Sequence, residues 1–254
     1  MMINPMDLTG KRILVTGASS GLGREIAIVL SKLGAHITLV ARDETRLKAV
    51  FDQLESDGNS WVAFDLAHNL EKISEWIKKD ALENGPFFGL VHSAGIEKTL
   101  PVRSVSCQDY DDLMDINAKS AFFLAKGFCQ KKCFVPGGGI VFLASIASLI
   151  GQGGLSLYSA SKGSVVAMAR SMAVELATKK IRVNSISPGH IETNMGAHLK
   201  KKMLPEQYEA IVKEHPLGLG HPEDVAYTVS FLLAETGRWI TGTNLVVDGG
   251  FTAK

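Results

Sequence analysis

Short β-branched runs alternate with longer amphipathic stretches along this chain. The runs RILVTG (12–17), HITLVAR (36–42), SWVAFDL (60–66), FFGLVHSAG (87–95), GIVFLAS (139–145), IRVNSIS (181–187) and NLVVDGG (244–250) predict seven strands. Between them REIAIVLSKLG predicts a helix closed by Gly34. DETRLKAVFDQLESDG predicts one that starts at an Asp43 N-cap and ends at Gly58, and NLEKISEWIKKDALENG a third. Two long helices are expected over 110–132 and 156–180, and a last one after Pro222. The strands are apolar on both parities, as when helices cover both faces of a sheet. Strand–helix alternation implies βαβ crossovers and a parallel sheet. The expected fold class is α/β: one Rossmann domain over 1–254, with a doubly wound seven-stranded parallel sheet. The connection over 189–222 is longer than usual. It carries small helices or forms a substrate lid at about 190–220. The glycine run PGGGI (136–140) precedes a strand rather than a helix, so it reads as a turn with no phosphate to hold.

The first strand runs directly into TGASSGLG, residues 16–23. Gly17, Gly21 and Gly23 permit a tight turn and let backbone amides approach a phosphate. The helix beginning at Leu22 turns its positive end toward that anion, with Ser19 and Ser20 in the loop. In this context the pattern is a dinucleotide fingerprint. A carboxylate at the tip of the second strand would favour NAD; this chain has Ala41 and then Arg42. An arginine there suits a 2′-phosphate, so the reading is NADP(H) in preference to NAD(H).

Strand five ends at Ser145, where ligands gather in open α/β sheets. Thirteen residues on comes YSASK, with Tyr158 and Lys162 one helical turn apart on one face. A phenol is a poor acid near neutral pH, with a pKa of about 10. A nearby ammonium favours the phenolate, so the pair is expected to make a usable proton donor. Asn117 lies in the long helix before strand five.

With TGASSGLG, HSAG (92–95), Asn117, Ser145, YSASK, SPG (187–189) and DGG (248–250), the chain resembles the short-chain dehydrogenase/reductases over essentially its full length. The resemblance implies that Tyr158 donates a proton to a carbonyl oxygen as hydride reaches its carbon. It implies that Lys162 holds the nicotinamide ribose and depresses the Tyr158 pKa, that Ser145 bonds the carbonyl, and that Asn117 holds a water leading from Lys162 to solvent. By similarity, Asp65 and Leu66 meet the adenine. Ser93, Ala94 and Gly95 line the adenosine side. Pro188 and Gly189 pass the nicotinamide, and Ile191 and Thr193 meet its carboxamide and the pyrophosphate. Substrate contacts are expected from Ser145, Ile146, Gln152, Leu155, Tyr158 and His190, with Ile96 and Gly153 nearby. His92 and Ser93 stand where the family most often has two asparagines, which puts the local hydrogen bonding in question.

Within the family, SPGHIETNM, HPEDVA and ITGTNLVVDGG look most like the 3-oxoacyl-(acyl-carrier-protein) reductase branch. Lys179 matches a position that is basic there. The second such position falls near Pro136, with Lys131 and Lys132 only close by. The run Lys200–Lys202 could meet an anionic carrier, although a charge run is usually a solvated face. The substrate is a small carbonyl or alcohol, on a carrier protein or coenzyme A in that branch. Dehydrogenases of other alcohols, sugars or steroids share the scaffold. A non-catalytic NADP(H) sensor would be expected to lose Tyr158 or Lys162, and a sugar-nucleotide epimerase would want a larger second domain than 254 residues leave room for.

Composition adds little to this. Twenty-seven basic against 26 acidic residues give +1, which offers no reason to expect a nucleic-acid or membrane partner. No apolar leader follows a basic start. Three cysteines form no even framework, and no histidine pattern suggests a metal. We expect a cytoplasmic protein with reduced thiols. The two long helices carry apolar residues on more than one face, in FFLAKGF and VVAMARSMAVEL, so a homotetramer is expected, or failing that a dimer.

Overall fold

The computed structural model describes residues 4–55, 57–193 and 205–253, with Gln207 described by its backbone alone. Among them β1 (Arg12–Thr16), β2 (His36–Ala41), β3 (Ser60–Ala63), β4 (Phe87–His92), β5 (Phe134–Leu143), β6 (Arg182–Pro188) and β7 (Asn244–Val247) form one sheet. Its order is β3-β2-β1-β4-β5-β6-β7, and every pairing is parallel. Chain direction around the sheet therefore reverses between β1 and β4, the switch point where such sheets bind ligands beyond their carboxyl ends.

The helices are α1 (Gly21–Lys32), α2 (Glu44–Phe51), α3 (Leu70–Asn84), α4 (Cys107–Met114), α5 (Ser120–Phe128), α6 (Ser156–Leu176), α7 (Pro205–Glu214) and α8 (Pro222–Leu233). Two apolar cores flank the sheet. On one face Ile73, Ile77, Leu124, Phe128, Val165 and Ala169 from α3, α5 and α6 pack on Leu14, Leu90, Ile140 and Val183. On the other, Ile26, Leu30, Val229 and Leu233 from α1 and α8 pack on Ile13, Leu39, Val141 and Ile186. The alternation of neighbouring strand residues between these two cores is what the two-sided apolar pattern of the strands encodes.

Four expectations about elements change. The helix expected over 110–132 is interrupted by a π-turn at Asp115–Lys119 between α4 and α5. It ends at Phe128, because the Cys133 carbonyl must accept the Phe87 N–H (2.9 Å) to begin sheet pairing, and Lys132 takes φ 70° to turn the chain there. The glycine run is not a separate turn. It lies within β5, at an irregularity in its register with β4. Helix α2 stops at Phe51 instead of Gly58, which lets Glu55 N–H reach the Ser31 hydroxyl at 2.9 Å. The other long helix stops at Leu176, and one 3-10 turn at Ala177–Lys179 continues it to Lys180. As expected, the Asp43 carboxylate caps α2 by accepting from Arg46 N–H at 3.0 Å.

Candidate active site

The phosphate loop is shaped by backbone crowding. A Cβ on Gly17 would lie 2.7 Å from the Ala94 nitrogen, and one on Gly23 only 2.3 Å from the Gly17 carbonyl oxygen. Gly17 also sits at φ 66°. These two positions must be glycine for β1, the loop and α1 to pack together. Gly21, at φ 54°, meets nothing within 4 Å on its Cβ side, so the loop is open there. Ser20 is extended and makes no side-chain cap bond, and Leu22 stands with it at the start of α1. The first α1 amides and the helix dipole are thus offered to an anion, with Ser19 and Ser20 beside them. Ala18 N–H bonds the Val40 carbonyl (3.3 Å), which ties this loop to the end of β2.

Arg42 is exposed just beyond β2, and the first acid after it is committed elsewhere: Asp43 caps α2 and pairs with Arg46 (3.3 Å). The donor set fits a dinucleotide carrying a 2′-phosphate. At the end of β3, Asp65 turns its carboxylate onto the Ala67 and His68 amides (3.0 and 3.2 Å) and the His68 ring (3.1 Å). Burial tends to raise its pKa, but the His68 and Ala67 hydrogen bonds outweigh that and hold it below the ordinary value. The Leu66 side chain is buried in the core, so only its backbone is presented.

The catalytic candidates converge. Lys162 is 4% exposed, and its ammonium donates to the Leu143 carbonyl at 2.8 Å. Burial pulls its pKa down to about 8. Its Nζ lies 5.9 Å from the centroid of the Tyr158 ring. A Cβ on Gly95 would lie 3.1 Å from Asn117 Oδ1 and 3.2 Å from Lys162 Nζ, so Gly95 is where both side chains close on the backbone. Asn117 sits in the π-turn and is locked: Oδ1 accepts from Ile96 N–H (2.8 Å), and Nδ2 donates to the Ile96 carbonyl (2.9 Å) and the Ser161 hydroxyl (3.0 Å). A π-turn at such a place is a common feature of functional sites. Ser93 and Ala94 continue the strand between Gly17 and this cluster.

Tyr158 differs from expectation. Its phenol is pushed up to about 12, first by burial and then by the negative charge of Glu97, while a hydrogen bond with Ser145 acts the other way. The net shift is thus opposite to the expected depression, although the Lys162 ammonium lies 5.9 Å from the ring centroid. The phenol is held protonated. Ser145 also accepts from Ala147 N–H (3.2 Å), which fixes its hydroxyl at the end of β5.

On the far rim Pro188 is buried at the end of β6, and a Cβ on Gly189 would lie 2.8 Å from the Asp248 Cα. Ile191 bridges to Gly220, and Thr193 N–H bonds the Ile191 carbonyl at 2.8 Å. His190 is half-buried. Its ring packs edge-on to His215 (5.2 Å between centroids) and near Phe251 (6.3 Å). Ile146 and Leu155 are buried and apolar, whereas Gln152 and Gly153 are exposed. Residues 194–204, including the run Lys200–Lys202 and most of the first half of the expected lid, lie outside the described residues. Sequence reasoning missed His215, Phe251, Glu97 and Ser161. Only Ser161 carried a signal, as the small polar residue inside YSASK.

A glycine-turned phosphate loop at a parallel-sheet switch point, with a serine, tyrosine and lysine beyond it, defines a dinucleotide-dependent oxidoreductase. The family model described as Enoyl-(Acyl carrier protein) reductase matches residues 17–252. A 3-oxoacyl-(acyl-carrier-protein) reductase of Rickettsia prowazekii is 40% identical over 96% of this chain and 98% of that protein. The Escherichia coli protein of the same name is 32% identical over 96% and 98%. Among solved structures, a putative 2-deoxy-D-gluconate 3-dehydrogenase from Agrobacterium tumefaciens with bound NADP superposes with a TM-score of 0.88. It is 33% identical, over 99% of this chain and 100% of that one. A short-chain type dehydrogenase/reductase from Mycobacterium marinum gives a TM-score of 0.88 at 29% identity, over 98% of each chain. The chain belongs to the short-chain dehydrogenase/reductase family of oxidoreductases.

Proposed function

We propose that this protein reduces a ketone to a secondary alcohol with NADPH. The observation that carries the reading is the half-buried Tyr158, bonded to Ser145 and one turn from the buried Lys162. When bound, the dinucleotide supplies a hydride. Ser145 and Tyr158 bond the substrate oxygen. As the new C–H bond forms and the C=O π bond breaks, Tyr158 gives its proton to that oxygen, and the product leaves as the alcohol. With NADPH as the cofactor the direction is reduction. Lys162 holds the nicotinamide ribose and charges the surroundings of the phenol, and the locked Asn117 keeps the route by which the proton is replaced. The phosphate loop (Gly17, Ser19–Gly23), Arg42, Asp65, Leu66, Ser93–Gly95 and Pro188–Thr193 hold the cofactor. Arg42, with NADP or NADPH present in several structural relatives, supports the 2′-phosphate form.

For the substrate we favour a 3-oxoacyl thioester. The relatives of that name support it, as do the apolar Ile146 and Leu155. Lys179 donates to the Cys129 carbonyl (3.2 Å), bringing it alongside the turn that holds Lys131 and Lys132, where an acidic carrier could dock. Relatives named as gluconate dehydrogenases favour a keto sugar acid as the second reading. We also propose a homotetramer. Tyr110, Phe122 and Val174 are exposed on α4, α5 and α6, and Tyr227, Phe231, Val246 and the 91% exposed Trp239 mark a second patch around α8 and β7. A single domain with a lid at about 190–220 in a cytoplasmic setting completes the reading; three free cysteines agree with it.

The test is a fluorescence titration with NADPH followed by turnover on 3-oxobutanoyl-coenzyme A, a keto sugar acid and simple ketones. Tight binding with no turnover on any of them refutes the reductase. Sedimentation equilibrium tests the assembly, and a stable active species at the monomer mass refutes the tetramer.

A further inference from the structure

His92 replaces a common asparagine at the end of β4 and is fully buried. Its Nδ1 lies 2.9 Å from the Thr16 hydroxyl and its Nε2 3.3 Å from the Ser120 hydroxyl. Thr16 is its neighbour across the β1–β4 ladder and leads into the phosphate loop. Ser120 opens α5, directly after the π-turn that carries Asn117.

The surrounding bonds fix the tautomer. Ser120 donates its only hydroxyl hydrogen to the Ile116 carbonyl at 2.7 Å. Toward His92 it can therefore only accept, so Nε2 carries a hydrogen. A neutral imidazole has one such hydrogen, which leaves Nδ1 as an acceptor, and Thr16 must donate to it. Thr16 in turn accepts from Ala94 N–H at 3.4 Å. One directional chain thus runs from the Ala94 amide through Thr16, His92 and Ser120 to the carbonyl of Ile116 inside the π-turn. An asparagine cannot present an acceptor and a donor so far apart.

We propose that His92 is a positioning residue: as the neutral Nε2–H tautomer it clamps the end of the phosphate-loop strand to the π-turn and so sets Asn117 against Gly95 and Lys162. This rests on the reductase reading for its consequence, not for its geometry. The charged group facing the ring is Lys162, on α6. Burial first, and that ammonium second, pull the His92 pKa down to about 3, while the Asn117 and Ile116 carbonyls act against this. A cationic imidazole would add a second positive charge beside Lys162 and would leave Thr16 facing a donor. Because the folded value lies below that of a free imidazole, about 6.5, the unfolded chain holds the extra proton between these two values. Stability therefore falls as pH drops below about 6.5.

The test uses the full chain labelled with ¹⁵N histidine, and Ser120→Ala identifies the His92 signals by their shift. We expect a protonated Nε2 and a bare Nδ1, unchanged from pH 5 to 9. An Nδ1–H tautomer, or titration in that range, overturns the proposal whether or not any ketone is turned over, so its failure is distinguishable from that of the reductase reading. Kinetics with NADPH and 3-oxobutanoyl-coenzyme A supply a second readout. Ser120→Ala and His92→Asn should each lower kcat by about tenfold, the scale of one buried hydrogen bond. The KM for NADPH should stay within about twofold, and the double variant should lose less than the product of the single losses. Multiplicative losses, or a lowered melting temperature with kcat unchanged, overturn it as well.

Discussion

The two ends of the β1–β4–β5 sheet bury cations in opposite ways. At the amino end Arg12 pairs with Asp80, their side chains 11% and 10% exposed. Arg12 also donates to the Gly85 carbonyl (2.7 Å) and Thr38 (3.1 Å), and its guanidinium lies 4.0 Å from the centroid of the Phe87 ring. At the carboxyl end Lys162 is just as buried, but its ammonium donates to the neutral Leu143 carbonyl. Arg12 has a counter-ion and several acceptors, which is how a buried charge is made tolerable. Among the described residues Lys162 has neither, and its pKa falls toward the working pH. A protein keeps such a charge unneutralised where chemistry uses it, and perturbed groups cluster at functional sites for that reason. One end of the sheet holds the fold together, and the other holds the pair proposed to react.

The sharpest way to break this contrast is to replace Tyr158 by phenylalanine. The ring stays and the proton donor goes, so turnover should fall about 10²–10⁴-fold with NADPH binding retained. Steady-state kinetics beside a fluorescence titration check both halves, and turnover within a few-fold of wild type would remove Tyr158 from the mechanism. Asp80→Asn should do the reverse. It strands a buried guanidinium and should cost about 3–5 kcal/mol of stability in a denaturant titration, with kcat per folded molecule unchanged; a lost kcat at intact stability contradicts the division of labour. Arg42→Asp acts between the extremes. Repulsion of the 2′-phosphate should weaken NADPH by roughly tenfold or more and improve NADH in relative terms, read as the ratio of kcat/KM. A wild type that already prefers NADH refutes the role given to Arg42. The smallest effect is a pH profile. Lys162 loses its charge as pH rises through about 8, so the reduction rate should decline above that value and hold below it. A profile flat to pH 10 would mean that the ammonium is not needed.

Much of this was legible in the chain. Short, near-continuous apolar runs between amphipathic segments gave the seven strands and their class, because a strand buried on both faces has to be apolar at both parities. TGASSGLG was readable as a phosphate loop because a glycine requirement is local: φ and Cβ crowding at Gly17 and Gly23 act over a few residues. Tyr158 and Lys162 were readable for the same reason, since four residues of helix fix their shared face. The π-turn was not readable. Its carbonyls are satisfied partly by the Ser120 side chain, which the helical periodicity of 107–128 does not reveal.

The sequence by itself therefore determined most of the elements, the glycine loop and the shared helical face of the proposed pair, all of which depend on neighbours within about one turn. The tertiary structure alone decided the electrostatics. Burial against Gly95 and Leu143 left Lys162 with a carbonyl instead of an acid. Burial and Glu97 raised Tyr158 when the sequence had suggested the opposite. His92 found Thr16 76 residues away and Ser120 28 residues away, and His190 packed its ring edge-on to His215. Desolvation and long-range hydrogen bonds are sums over atoms that only folding brings together, so no spacing along the chain could have announced them.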